Sequence, residues 1–337
     1  MAWPKLPDGT PAGHGPALPR REGAGKTALI VGAAGFVGGY LARELAGNGW
    51  HVHGTHLPSE AVFGPLEAHV LDILDREACA ALLGAVKPDA VFHLAAQSSV
   101  ALSWKNPGLT IDVNIKGAVN VLEAVRAAGL EKSCRVLLIG SAEEYGAPLP
   151  DEVPVREDNP LRPSNLYAIT KRAQNEIGML YARAYGVDVV ATRSFNHFGP
   201  GQAPIFVMAD FAKQLAEAEK GLREPVLRTG NLAARRDFTD VRDVVRAYRL
   251  LVLYGRAGET YNVGSGRAVA IEELLRRLLA LTETPVTWEV DPARLRPVDV
   301  PEVRADITKL QAVTGWRPEI DIDTTLADTL AYWRGQA

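Results

Sequence analysis

One junction constrains this chain more than any other. The apolar run Ala28–Val31 stops on Gly32-Ala33-Ala34-Gly35-Phe36-Val37-Gly38, and helical periodicity then runs from Phe36 to Ala46. A strand turning on glycine into a helix opens an α/β sheet, and each glycine has its own task. Gly32 permits the tight turn, Gly35 lets backbone approach a pyrophosphate, and Gly38 lets helix and strand pack closely, while the helix N-terminus, with Phe36 and Val37, favours the anion. The spacing is GxxGxxG. Just upstream, Gly25-Lys26-Thr27 resembles the end of a triphosphate-binding loop, but Arg20 stands where that loop needs glycine and the segment precedes the strand, so an ATPase reading is rejected.

Further strand candidates are Val52–Gly54, His69–Leu71, Ala90–Leu94, Arg135–Ile139 and Val187–Thr192, separated by helical stretches at Asp75–Val86, Val113–Ala128 and Leu166–Tyr185. Alternation of this kind implies a doubly wound parallel sheet. After Thr192 glycine and proline punctuation takes over, and helices resume at Ile205–Ala218, Asp240–Tyr254 and Ile271–Leu281 as a smaller lobe. The expected division is a flexible, proline-rich extension over 1–26, a dinucleotide-binding domain over 27–195 to which 237–265 return, and a C-terminal lobe from 196–236 and 266–337.

Composition narrows the classes. Hydrophobic residues are 47% and charged ones 23% of 337, an ordinary globular balance that excludes disorder or coiled coil as the global class. A formal charge of -3 supplies no basic field for nucleic acid or an anionic membrane. The charge-free stretch Thr27–Ala42 is shorter than the roughly 18 apolar residues of a spanning helix. Cys79 and Cys134 sit in apolar stretches without metal-ligand spacing, so both read as reduced core thiols of a cytoplasmic protein. His14, His51, His53 and His69 read as surface or strand histidines, and no metal is expected.

The second strand sets the cofactor preference. Its end reads Gly54-Thr55-His56-Leu57-Pro58-Ser59, with no carboxylate before Glu60 to accept ribose hydroxyls, which favours NADP(H) over NAD(H) and leaves His56 beside the ribose. Tyr167 and Lys171, four apart on a predicted helix, share one face. A nearby ammonium would move a phenol of pKa about 10 toward the working range, although such a pair also arises on exposed helix faces. The strand Arg135–Ile139 decides between these readings, because its C-terminal end delivers Gly140-Ser141-Ala142-Glu143-Glu144-Tyr145-Gly146, and ligands of open parallel sheets bind at such ends. Ser141 and Glu143 are expected to face the crevice.

With the glycine triplet, Ser141, Tyr167 and Lys171 in place, the chain resembles the extended short-chain dehydrogenase/reductases over about residues 27 to 337. That resemblance implies a Rossmann-type fold with a nucleotide-sugar-binding lobe. It places Asp72 and Ile73 at adenine, Leu94, Ala95 and Ala96 (from His93-Leu94-Ala95-Ala96) under the nicotinamide half, and Asn114 among the cofactor contacts. Within the family the segments Phe195-Asn196-His197-Phe198-Gly199-Pro200-Gly201-Gln202, Gly230-Asn231-Leu232, Arg236–Asp243, Arg296-Pro297 and Thr314-Gly315-Trp316 resemble GDP-6-deoxy-4-keto-mannose reductases and GDP-mannose 4,6-dehydratases. The substrate contacts so implied are Gln97, Ser99, Asn196, Val207, Arg236, Arg296 and Asp299, the last standing where glutamate is usual.

The same resemblance implies reduction of a 4-keto sugar nucleotide, with Tyr167 as proton donor, Lys171 tuning it and holding ribose, and Ser141 on the carbonyl oxygen. A 4,6-dehydratase would use Glu143 as base. Ala142 removes the aspartate of the dTDP-glucose type of dehydratase, and Ala203–Asp210 lacks the arginines that GDP-mannose dehydratases extend to a neighbouring subunit, so the reductase is expected. A noncatalytic dinucleotide-binding sensor is the reading from another class, and the intact Ser141, Tyr167 and Lys171 oppose it. Helices Val113–Ala128 and Leu166–Tyr185 are expected to pair in a four-helix homodimer interface.

Overall fold

The structure, a computed structural model, describes residues 23–294 and 300–337. Of the expected N-terminal extension, 1–22 lie outside the described residues, while 23–26 form a turn in which the Gly25 N–H donates to the Gly49 carbonyl.

The chain begins as anticipated, with β1 (Thr27–Val31), α1 (Phe36–Gly47), β2 (His51–His56), β3 (Glu67–Val70), α2 (Arg76–Val86) and β4 (Ala90–His93). Next come α3 (Val100–Lys105), α4 (Pro107–Ile111), a π-helical turn at Asp112–Lys116, and α5 (Gly117–Ala127). Then β5 (Arg135–Ser141), α6 (Leu166–Tyr185) and β6 (Asp188–Ser194) complete the alternation. Asn165 starts α6 by accepting the Ala168 N–H on its side chain, and Gly186 ends it in the left-handed region.

The second half contains β7 (Asn196–Phe198), α7 (Val207–Glu219), β8 (Val226–Thr229), β9 (Arg235–Asp240), α8 (Val241–Tyr254) and β10 (Glu259–Val263). It closes with β11 (Ala268–Ala270), α9 (Ile271–Leu279), β12 (Thr287–Val290), β13 (Glu302–Val303), α10 (Thr308–Thr314) and α11 (Ile322–Gln336).

Seven parallel strands form the main sheet in the order β10-β6-β5-β4-β1-β2-β3. The order of winding reverses between β1 and β4, so the C-terminal ends of these strands frame the crevice where open sheets bind ligands. Residues 28–31 of β1 are fully buried, as a central strand covered on both faces must be. One face packs α1 and α8 around Leu41, Tyr248 and Leu251; the other packs α2 and α5 around Leu83, Leu122 and Val125.

The smaller lobe holds β11-β9-β13 with β7 paired to β9, the parallel pair β8–β12, and α7, α9 and α11 around Phe211, Leu274 and Leu330. Residues 266–337, expected wholly in this lobe, divide between layers. Leu310 and Trp316 pack into the α1–α8 side of the main sheet, where the Trp316 indole N–H donates to the Asp243 carbonyl.

Candidate active site

The glycine turn has the geometry its spacing implies. Gly32 sits at φ +86°, and a Cβ there would meet the Ala95 backbone at 2.7 Å, so the loop after β4 lies directly on the turn. A Cβ on Gly38 would fall 2.2 Å from the Ala33 carbonyl oxygen. Gly35 differs, because its Cβ would come no nearer than 3.5 Å to any protein atom. Glycine there leaves room for something other than protein. Gly35 is also the N-cap of α1, without a side-chain cap or acidic residue in the first turn, so the positive end of the helix dipole is left for an anion. These residues fit the pyrophosphate of a dinucleotide.

Around this turn, the Thr55 hydroxyl accepts the Gly32 N–H at 3.0 Å, and the Leu94 and Ala95 N–H groups donate to the Val31 carbonyl. Ala96 follows in the same partly buried loop. Val37 packs against the core formed with α8. His56 turns Nδ1 to the Leu57 carbonyl at 2.9 Å, and Glu60 curls back so that its carboxylate accepts the Leu57 N–H at 2.9 Å. The first carboxylate after β2 is therefore engaged with backbone. Asp72 is exposed and accepts the Leu74 N–H, while Ile73 is buried against Gly117.

The reactive groups converge at the end of β5. Ser141 caps the turn Ala142–Tyr145, its hydroxyl accepting the Glu143 N–H at 3.2 Å, and the buried Tyr167 phenol lies beside it. Burial pushes the Tyr167 phenol up, with Glu143 and Glu144 adding to it and Ser141 opposing. Glu143 accepts the Asn165 amide N–H at 3.0 Å, so the residue that caps α6 also fixes this carboxylate.

Lys171 is anchored under the end of β5. Its ammonium donates to the Ile139 carbonyl at 2.7 Å and to the Gln174 amide oxygen at 3.0 Å, and burial lowers it to about 8. The Ile139 carbonyl and Gln174, one turn along α6, give the buried ammonium two acceptors.

A buried ion pair lies beneath Ser141. Glu144, with no exposed surface, accepts the Ser141 N–H at 2.9 Å and the Asn175 amide at 2.9 Å on one oxygen, and Arg193 Nε at 3.1 Å on the other. Arg193 continues to the Tyr145 hydroxyl at 3.1 Å, which donates to Asn262 at 2.7 Å. Gly140 is obligatory beside it, since a Cβ there would fall 2.4 Å from the Glu144 carboxylate. Sequence reading missed Glu144, Arg193, Asn165 and Gln174. Asn165, a cap residue just before the helix, and Glu144, which closes the capping-box pattern Ser141-Ala142-Glu143-Glu144, carried local signals.

Several expected ligand contacts are bonded within the protein. Asn114, fully buried on the π-helical turn, clamps the Gln97 backbone from both sides (2.8 and 3.1 Å) and donates to Thr170 at 3.0 Å. It therefore positions the loop after β4 against α6 rather than facing the crevice, the kind of site where π-turns recur. The Gln97 amide bonds Ser99 and Thr110, and the Ser99 hydroxyl caps α3. Both side chains are engaged in shaping the loop, in place of the free substrate contact expected.

On the lobe side, Asn196 is exposed on β7 and Val207 opens α7, partly buried. Arg236 donates to the Val300 carbonyl at 2.6 Å, immediately after the segment holding Arg296 and Asp299, which lie outside the described residues. The two halves of the crevice meet where the Phe36 ring stacks on His197 and the Tyr40 hydroxyl donates to the Pro200 carbonyl at 2.7 Å.

Comparison with known proteins gives the family of the chain. Residues 29–329 match the family described as GDP-mannose 4,6 dehydratase. The chain is 35% identical to the GDP-6-deoxy-D-mannose reductase of Pseudomonas aeruginosa over 91% of its own length and 97% of that protein's. It is 28% identical to a GDP-mannose 4,6-dehydratase of Vibrio cholerae, covering 90% of this chain and 92% of the other. Among solved structures, RMD from Pseudomonas aeruginosa complexed with NADPH superposes with a TM-score of 0.83 at 32% identity, covering 93% of this chain and all of that one. The UDP-glucose 4-epimerase of Thermus thermophilus complexed with NAD gives 0.82 at 29% identity, covering 92% of this chain and all of the other.

Proposed function

Because the chain belongs to the GDP-mannose 4,6-dehydratase family of extended short-chain dehydrogenase/reductases, we propose that it reduces the 4-keto group of GDP-4-keto-6-deoxy-mannose with NADPH, giving GDP-rhamnose or its C4 epimer. One observation carries this reading: at the crevice end of β5 the Tyr167 phenol lies beside Ser141 and burial keeps it protonated. A reductase needs a proton donor at that place.

The nicotinamide, when bound, supplies hydride to the 4-keto carbon. Ser141 donates a hydrogen bond to the carbonyl oxygen, and Tyr167 passes its proton to the same oxygen as negative charge develops there. Lys171 spends two of its three N–H groups on Ile139 and Gln174 and keeps one for the nicotinamide ribose. Gly35 and the N-terminus of α1 receive the pyrophosphate, and the lobe side with Asn196 and Arg236 receives the sugar nucleotide, Arg296 and Asp299 adding contacts from the neighbouring segment. Support for NADPH comes from the β2 end, where the first carboxylate, Glu60, is engaged with backbone, and from the NADPH-bound relative.

Glu143 sustains a second reading. Held by Asn165 near Tyr167, it could serve as the base of a 4,6-dehydratase acting on GDP-mannose. Supplying each sugar nucleotide separately distinguishes the two. The reductase oxidises NADPH, faster than NADH, only with the 4-keto compound; conversion of GDP-mannose without net cofactor consumption would establish the dehydratase instead.

A homodimer is part of this reading, supported by the exposed Ile169, Leu180, Trp104 and Ile111 on α6 and its neighbours. Light scattering should return twice the chain mass, and a single-chain mass at micromolar concentration would remove the dimer. Among the described residues no helix is long and apolar enough to cross a membrane. Burial pushes the free Cys79 and Cys134 thiols up to about 11 and about 12, which keeps them unreactive and suits the cytoplasm.

A further inference from the structure

Far from the Ser141 group, the edge of the main sheet carries three metal-ligating side chains that the sequence keeps apart. Parallel pairing of β2 and β3 sets His53 opposite Glu67 and Thr55 opposite His69, so His53, Glu67 and His69 emerge on one face. Their donor atoms converge. His53 Nδ1 lies 2.9 Å from His69 Nε2, Glu67 Oε2 lies 3.7 Å from His53 Nδ1, and Glu67 Oε1 lies 3.8 Å from His69 Nε2. We propose that His53, Glu67 and His69 form a three-ligand site for one zinc-class divalent ion, with solvent as the fourth ligand.

The dimensions suit that ion. A tetrahedral Zn²⁺ with ligands at about 2.0–2.1 Å holds its donor atoms roughly 3.3 Å apart, and the observed triangle brackets this value. Two imidazoles and a carboxylate are the donor set of a borderline metal rather than of Ca²⁺ or Mg²⁺, which take oxygen. The two imidazoles are partly buried and the Glu67 side chain is 68% exposed, which leaves the approach from solvent open.

The ion would be structural. β3 is the outermost strand and mostly exposed, and the ligands bridge it to β2 just before the strand ends that flank the cofactor turn. Sequence spacing alone could not reveal this, because the ligands come together only through strand register.

The test is equilibrium dialysis of tag-free, chelator-stripped protein against Zn²⁺, with Co²⁺ absorption reporting coordination. One ion per chain is expected at micromolar metal, with the visible band of four-coordinate Co²⁺. His53→Ala and His69→Ala should each weaken Zn²⁺ binding at least about tenfold, since losing a ligand costs no less than losing an outer-shell partner. His51→Ala should leave it unchanged. Substoichiometric binding, a six-coordinate Co²⁺ spectrum, or unaltered affinity in both histidine variants would overturn the site. The Co²⁺ spectrum of the unmutated protein decides the matter even if a variant fails to fold.

Discussion

Tyr167→Phe should lower turnover at least about a hundredfold, the usual scale for losing a positioned proton donor. Phenylalanine keeps the ring and its packing and removes only the hydroxyl beside Ser141. The phenol is raised by burial and by two carboxylates, which keeps it protonated in the neutral range and suits the proposed role of acid rather than base. The proposed cofactor site rests on Gly32, Gly35, Gly38 and Lys171, so NADPH affinity should stay within a few-fold of the parent protein. Steady-state kinetics with the 4-keto sugar nucleotide, alongside a fluorescence titration of NADPH, check both halves. Near-parental turnover would remove Tyr167 from the chemistry.

Arg193→Leu should produce the largest loss of stability, about 3–5 kcal/mol at neutral pH, because it strands the fully buried Glu144 carboxylate without its cation. Burial already raises Glu144 even with Arg193 present. Without the guanidinium it rises further, and its stability cost follows protonation. Above the folded-state pKa the full penalty applies; as pH falls toward the ordinary carboxylate range of about 4.3 the group is protonated in both states and the penalty fades. Urea unfolding of parent and variant should therefore give a gap that narrows on acidification. A gap below about 1 kcal/mol, or one that widens at low pH, would mean the pair carries little of the load under Ser141.

What the sequence made legible was short-range. The β1 run, the glycine turn, α6 with Tyr167 and Lys171, and the strand ending at Ser141 each announce themselves within a few residues, through periodicity or a fixed spacing. Long-range pairing was not legible. β7, β11 and β13 are two or three residues long, too short for any period, and β13 pairs with β9 across the span from Arg235 to Glu302. The Glu144–Arg193 pair joins residues 49 apart, and nothing in either neighbourhood points to the other.

Side-chain commitments were equally hidden. Gln97, Ser99 and Asn114 lie where the family places ligand contacts, yet their polar atoms are engaged in building the loop that carries Ala95 onto Gly32. Lys171 shares a helix face with Tyr167, as spacing requires, but the Ile139 carbonyl captures its ammonium. His93 is fully buried with neither ring nitrogen hydrogen-bonded, and burial, with Lys171 adding to it, lowers the ring to about 3. It is a neutral group beneath the crevice that composition alone would not distinguish from the surface histidines.

Tracing the cofactor hydride tests the proposed reduction most directly. With NADPH carrying deuterium at the transferred position and the 4-keto-6-deoxy sugar nucleotide as substrate, deuterium should appear at C4 of the product in one-to-one ratio with NADPH consumed. Product without label, or label-free conversion of GDP-mannose to the 4-keto compound, would contradict it.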